Sequence, residues 1–221
     1  MPTPKRFFEN GYFYHVYNKS IDCKKIFYKS SDGQRAMATI DYYRFKQVPS
    51  KLSEFIKLSP QTKKNHIDNL IKQGNLVKIH AYCLMPDHYH LLLEQSVEGG
   101  IKIFISQFQN SFTRYFNTKY DREDYLFRGR FRSVEVVSDE QLLHVHRYIH
   151  LNPYSSRIVN NLRDLENYPY SSLSEFMNGL EGICDKSILK SFSTSKRYGD
   201  FIFNQADYQR HLKEIRKSLL E

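Results

Sequence analysis

His88-Tyr89-His90 sets two imidazoles two residues apart. In a strand, residues i and i+2 share a face with Cα atoms ~6–7 Å apart, so both rings can converge on one divalent ion. Tyr89 and Leu91 then turn the other way, toward a core. The pattern alone fits a solvent-facing or core-satisfied pair just as well. A second group lies on Gln141–Asn152, where His144, Tyr148 and Asn152 recur at i, i+4 and i+8 and form a drifting stripe on one side of a helix. A tyrosine hydroxyl, with an ordinary pKa of ~10, is a poor nucleophile at neutral pH unless a cation or base helps it. The amide oxygen one turn away is an acceptable ligand for a hard cation. A core tyrosine with a wet hydroxyl fits the same spacing, and with 17 tyrosines present none is distinguished by type. The third group is the series Phe112, Arg114, Tyr115, Phe116, Tyr125, Phe127, Arg128, Arg130, Phe131 and Arg132. Alternation would put Arg128, Arg130 and Arg132 on one face of a strand edge, a shape suited to a phosphodiester backbone; a solvated edge has the same composition.

These groups need a scaffold, and the periodicity predicts an α/β one. Tyr12 to Tyr17 reads as a first strand with a turn at Asn18-Lys19-Ser20, followed by a helix through Arg35, Met37, Ile40 and Tyr43 capped by Ser31 or Asp32. The lysine-rich stretch of about 46–75, broken by Pro49 and Pro60, reads as a peripheral helical insert. Two strands, Leu76–Leu84 and His88–Glu94, flank Met85-Pro86-Asp87. Gly99-Gly100 opens a helix whose Ile101, Phe104, Ile105, Phe108, Phe112 and Phe116 recur every three or four residues. Arg130–Val137 alternates as a fourth strand, and Ser138-Asp139-Glu140-Gln141 has the form of a capping box for a helix ending near Pro153. The order suits an antiparallel ferredoxin-like (RRM-like) sheet with helices on one face, an inserted helical segment and a C-terminal extension. Residues 1–178 form the expected domain and 179–221 an extension of unassigned role; Asn167–Ser172 reads as a turn and Tyr208–Leu220 as a terminal helix.

The chain has 221 residues, enough to remove roughly 70 % of its unfolded surface from water, so a core of its own suffices. Its three cysteines are widely separated without a CxxC pair, against a disulfide framework or a cysteine zinc site. No run approaches the ~20 apolar residues of a membrane span and the first residues lack a signal-peptide core, so a cytoplasmic, nucleoid-associated protein is expected. The formal charge is +9 with 16 phenylalanines beside the tyrosines, a composition suited to nucleic acid. The basic excess falls in residues 1–30, 44–78 and 112–137, whereas 79–111 and 138–182, which hold the histidine and tyrosine motifs, are net acidic. That distribution predicts basic stretches that grip a backbone and an acidic reaction centre suited to a cation.

Four blocks taken in order resemble a known family: His80-Ala81-Tyr82-Cys83-Leu84-Met85-Pro86-Asp87-His88-Tyr89-His90-Leu91-Leu92, Leu126-Phe127-Arg128-Gly129-Arg130-Phe131-Arg132-Ser133, Arg147-Tyr148-Ile149-His150-Leu151-Asn152-Pro153 and Tyr168-Pro169-Tyr170-Ser171-Ser172. They look like the signature blocks of the single-tyrosine HUH transposases, and among these of the REP-associated tyrosine transposases. The likeness spans about residues 10–178 and leaves the insert and the tail uncovered. It implies His88 and His90 as metal ligands, Tyr148 as nucleophile and Asn152, where the insertion-sequence enzymes carry glutamine, as the third ligand. Tyr89 replaces the usual aliphatic residue between the histidines.

The implied activity is metal-dependent nicking and transfer of single-stranded DNA through a 5′-phosphotyrosine, with Mg²⁺ or Mn²⁺ as cofactor and a hairpin or repeat as partner. Lys5, Arg6, Lys19, Arg114, Arg128, Arg130 and Arg132 are the expected DNA contacts. His144 and His150 either assist or merely solvate their helix. The competing classes are a catalytically inactive single-strand-binding descendant, a relaxase-like or replication-initiator-like nickase, and an RNA-binding module. A monomer and a homodimer are both compatible with the sequence.

Overall fold

Alternation of side chains decides how this chain layers. The computed structural model describes residues 7–218, so Lys5 and Arg6 lie outside the described residues. Strand β1 (Phe13–Lys19) is followed by α1 (Ser30–Tyr43), the insert helices α2 (Leu52–Phe55) and α3 (Pro60–Gln73), β2 (Val77–Met85), β3 (His88–Gln95) and α4 (Gly100–Lys119). Then come β4 (Arg132–Val136), α5 (Asp139–Ser155), α6 (Leu162–Leu165), α7 (Leu173–Met177), α8 (Ser195–Phe203) and α9 (Ala206–Ser218). The four strands form one antiparallel sheet in the order β2-β3-β1-β4, the ferredoxin-like arrangement expected.

One face carries Tyr14 and Val16 of β1 and Tyr89, Leu91 and Leu93 of β3, packed in a single core with Ile40 of α1 and Phe104, Phe108 and Phe112 of α4. All six apolar positions picked out on α4 are buried, and each fully buried phenylalanine contributes ~2–3 kcal/mol relative to an exposed one. Gly100 is required there because a Cβ would collide with the carbonyl oxygen of Leu76. Tyr89 is completely buried, and its hydroxyl accepts from Gln109 Nε2 at 3.0 Å.

The opposite face is where expectation and structure part. Helix α5 does not join α1 and α4; its Ile149 packs on Ala81, Cys83, Met85, Leu92 and Val136, the other side of the same strands. The cap is formed in a shifted version of the capping box: Ser138 Oγ accepts from Gln141 N–H at 3.1 Å, while Gln141 Oε1 reaches one residue past the N-cap and accepts from Val137 N–H at 2.8 Å. Helices α8 and α9 cover α5 in turn, with Tyr198, Ile202 and Ala206 buried against Leu151, Tyr154 and Phe176.

Several local expectations change. Pro60 does not break the insert but opens α3, preceded by Ser59, whose hydroxyl accepts from Thr62 N–H; at the first helical position proline's missing N–H costs nothing. Neither Ser31 nor Asp32 caps α1, which begins at Ser30. Asp32 is buried instead and ties α1 to α4 through Lys119 and Tyr120. Asn18 and Lys19 continue β1 rather than turning, because Tyr89 and His88 pair with them.

Candidate active site

The α5 face of the sheet holds the chemistry. The β2–β3 hairpin turns on Pro86-Asp87 alone, so β3 begins at His88 and its even-numbered residues face α5. His88 Nδ1 is 2.5 Å from Asp87 Oδ1, and Lys19 Nζ is 3.5 Å from Asp87 Oδ2. Burial pushes the Asp87 carboxyl up, yet the His88 hydrogen bond and the Lys19 charge outweigh it and hold it below the ordinary carboxylate value. An ionised Asp87 accepts only, so His88 Nδ1 donates to it, and in the neutral ring Nε2 is the nitrogen left with a lone pair.

His90 Nδ1 is 2.9 Å from His15 Nε2. His15 is opposite Leu92, and Tyr17 is opposite His90, so His15 and His90 are diagonal neighbours on one face of the β1–β3 ladder. With the proton on His90 Nδ1, His90 Nε2 is also free toward the cleft. Burial drives His15 down to about 4 and His90 well below its ordinary value, the latter helped by His15, His88 and Lys213. Both rings are therefore neutral at physiological pH, the form that ligates metal. Sequence reasoning missed His15. Its signal is a polar residue in mid-strand, but only the strand pairing shows that it meets the histidine motif.

Tyr148, on α5, brings its ring within 5.5 Å of the His90 ring and 5.7 Å of His15, centroid to centroid. One turn on, Asn152 is fully buried: its Nδ2 donates to Tyr148 O at 2.9 Å and its Oδ1 accepts from Lys213 Nζ at 3.2 Å. Lys213 comes from α9, and its ammonium also donates to Ser156 Oγ. Burial lowers its pKa. Gln209 Nε2, one turn earlier on α9, donates to the Tyr148 carbonyl at 3.2 Å, and the Arg210 guanidinium stacks over Tyr154 at 3.3 Å. The C-terminal extension thus reaches the site. Nothing in the sequence marks Lys213 apart from the other cations of its helix.

Around these groups lies a cleft of about 500 Å³, lined by Tyr17, Lys19, His88, His90, Arg128, Arg130, Arg132, Tyr148 and Lys213 among others. The three arginines do converge, though only Arg132 is in β4; Arg128 is placed by its N–H donating to Lys19 O at 2.8 Å. The wall is basic, with Lys19, Lys213 and three arginines assembled from three separate stretches of the chain. This corrects the expectation of an acidic centre: segment charge does not predict which side chains a cleft collects.

Three other expected residues lie elsewhere. Arg114 points from α4 into a different cavity, between α1, α2 and α4. His144 is exposed, 3.7 Å from Glu140, in keeping with the solvated reading. His150 is neither solvating nor catalytic in position: it is fully buried, with Nδ1 on the Tyr198 hydroxyl at 2.9 Å and Nε2 on Ser172 Oγ at 2.8 Å.

Among the described residues, no three His, Cys, Asp or Glu side chains gather as a metal cluster. The donor set that fits a divalent ion is His88 Nε2 with His90 Nε2, whose Nδ1 atoms are both anchored, and a third ligand of another type. Asn152 Oδ1, the third ligand that the family resemblance implies, is engaged by Lys213 Nζ at 3.2 Å.

A protein-family model described as "Transposase IS200 like" matches residues 42–152, half of the chain. The chain belongs to the IS200-like transposase family. His88, His90, Tyr148 and Asn152 fall inside the matched span; His15 and Lys213 fall outside it. Among solved structures, a protein described as a REP-associated tyrosine transposase bound to a REP hairpin shares the fold, with a TM-score of 0.55, 15 % identity, and 87 % of this chain and 96 % of that one covered. No curated protein matches. No helix among the described residues of this IS200-like family member is long and apolar enough to cross a membrane.

Proposed function

We propose that the protein nicks and rejoins single-stranded DNA at a hairpin or repeat, with Tyr148 as nucleophile. The observation that carries this reading is the Tyr148 ring set against His90 in a cleft whose walls present two open imidazole nitrogens and five cations. Likeness to a protein described as bound to a REP hairpin supports the choice of a hairpin substrate.

The chain's own residues account for most of the reaction. Lys19, Arg128, Arg130 and Arg132 seat the phosphodiester and fix its register. The Tyr148 oxygen attacks phosphorus in line, its bond to phosphorus forms as the bond to the 3′ oxygen breaks, and the products are a 5′-phosphotyrosine and a 3′-hydroxyl. One phosphodiester replaces another, so a second hydroxyl can reverse the step and join strands without ATP. The same cations stabilise negative charge that develops on the attacking and leaving oxygens, at no cost in reorganisation because β1, β4 and the segment leading into β4 already hold them. A Mg²⁺ or Mn²⁺ ion on His88, His90 and Asn152 would supply Lewis-acid polarisation of a non-bridging oxygen. Asp87 and His15 hold the two imidazoles in the tautomer that such an ion needs.

The test is incubation of the purified protein with an end-labelled hairpin oligonucleotide from its own genomic flank and Mn²⁺, resolved on a denaturing gel. A covalent adduct with the native protein that vanishes in Tyr148→Phe is expected. No adduct with the native protein marks the chain as a binding protein only. An adduct persisting in Tyr148→Phe assigns the nucleophile elsewhere.

A further inference from the structure

On the far side of the sheet from the cleft, α1, α2 and α4 enclose a groove of about 690 Å³. Its walls include Arg35 of α1, Lys51 and Lys57 flanking α2, and Arg114 and Lys119 of α4, with no carboxylate in the lining. Lys119 is spent on Asp32 at 2.5 Å. Arg35, Lys51, Lys57 and Arg114 have no ion-pair partner among the described residues, so four uncompensated cations share one concavity. Such a group raises the local concentration of anions. Two polar atoms of the wall, Arg35 Nε and Gln107 Oε1, are buried without a hydrogen-bond partner. A buried polar atom left so is costly, and the groove is the space into which these side chains can turn for a partner. Tyr43 and Tyr115 add aromatic surface, the latter beneath the Arg35 guanidinium at 5.1 Å.

The groove is connected to the cleft along the chain. From Lys119 the backbone runs through residues 120–127 to Arg128, and it is stitched to the segment after β1 by Ile21 N–H donating to Leu126 O at 3.0 Å. This ridge exposes Tyr125 (85 %) and Tyr28 (68 %), and Lys25 stands over the Tyr28 ring. Exposed rings between two cationic pockets are what a single strand uses, bases stacking while phosphates are gripped on either side.

We propose that this groove is a second DNA-backbone site, which takes a stretch of the substrate strand beyond the nucleotides in the cleft. The inference rests on the DNA-cleavage reading above. It gives the insert a role, since Lys51 and Lys57 come from it, and it returns Arg114 to DNA binding at a different place. A phosphorylated protein partner is less suited, because the exposed tyrosines of the ridge have no counterpart to stack on.

The experiment measures binding by fluorescence anisotropy in a Tyr148→Phe background, with single strands of about 8 and about 25 nucleotides spanning the same cleavage point. Lys51→Ala, Lys57→Ala and Arg114→Ala are combined; all three residues are exposed, so folding is not at stake. Expected is at least a roughly tenfold weaker Kd for the long strand, a salt slope shallower by about 2, and no change for the short strand. Unchanged affinity and slope for the long strand overturn the second site. Equal loss on both lengths overturns it too, because the three cations then act on the cleft. Failure of the cleavage reading would register separately, as a missing Tyr148 adduct.

Discussion

His88 and His90 stand on β3 at a spacing of two; His146 and His150 stand on α5 at a spacing of four. Both spacings bring two imidazoles side by side, with centroids 5.1 Å and 4.5 Å apart. What separates them is the fate of their nitrogens. His146 Nε2 is 3.0 Å from the His80 carbonyl, which can only accept, so that nitrogen carries the proton. His146 Nδ1 must then accept from the Tyr198 hydroxyl at 3.1 Å, Tyr198 accepts from His150 Nδ1–H, and His150 Nε2 accepts from Ser172. With both rings neutral and the Ser172 proton given to His150 rather than to the more distant Tyr82 carbonyl, no ring nitrogen is left without a partner. In the β3 pair the Nδ1 atoms are tied, both residues line the cleft, and neither Nε2 has a hydrogen-bond partner among the described residues. A histidine pair becomes a site where the fold withholds one partner from each ring, and a rivet where it supplies all of them.

The largest test of that contrast is His90→Ala. It should reduce Tyr148 adduct formation by about 10³-fold or more in single turnover, since a metal ligand accounts for several kcal/mol of transition-state stabilisation, while the thermal midpoint stays near that of the native protein. His150→Ala should do the reverse. By removing one partner each from the buried Tyr198 and Ser172 hydroxyls and opening a cavity beside them it should cost ~3 kcal/mol in urea denaturation, with the adduct rate per folded molecule intact. Survival of activity in the first, or of stability in the second, would break the comparison.

Acid should act on the rivet next. Burial holds His146 down to about 3, whereas in the unfolded chain it protonates near 6.5. Between those values the unfolded state binds more protons, so stability is fully present above pH ~6.5 and falls by ~1.4 kcal/mol per pH unit for that histidine as the pH drops. Urea midpoints at a series of pH values check this, and His146→Gln should flatten the curve. Smaller again is His15→Leu, which frees His90 Nδ1; titration calorimetry should find Mn²⁺ affinity lower by roughly 10–100-fold with the fold retained. Smallest is Lys213→Met. Removing the ammonium from Asn152 Oδ1 should tighten Mn²⁺ by about 1 kcal/mol, roughly fivefold, if the two cations compete for that oxygen, and unchanged affinity would remove Asn152 from the ligand set.

Much of this was legible from local pattern. The histidines fall on one face of β3 because strand period is two, and the six buried positions of α4 follow from helical period, both set by neighbours in sequence. The arginines 128, 130 and 132 likewise share a wall. Arg114 was misplaced because proximity in sequence to that series says nothing about which layer α4 joins. His150 was misjudged because its partners, Tyr198 and Ser172, arrive from segments 48 and 22 residues away.

By itself, then, the sequence determined the elements, their apolar faces and the pairing of His88 with His90 and of Tyr148 with Asn152, since each depends on a short repeat along the backbone. Tertiary structure alone decided that α5 crosses to the face opposite α1 and α4, that the cleft is basic although its motif segments are acidic, and that His15 and Lys213 join the site. The physical reason is the same in each case: an imidazole's free nitrogen, an amide's open oxygen and a cleft's charge are set by what packs against them, and those partners are brought in by strand register and helix docking across the whole chain.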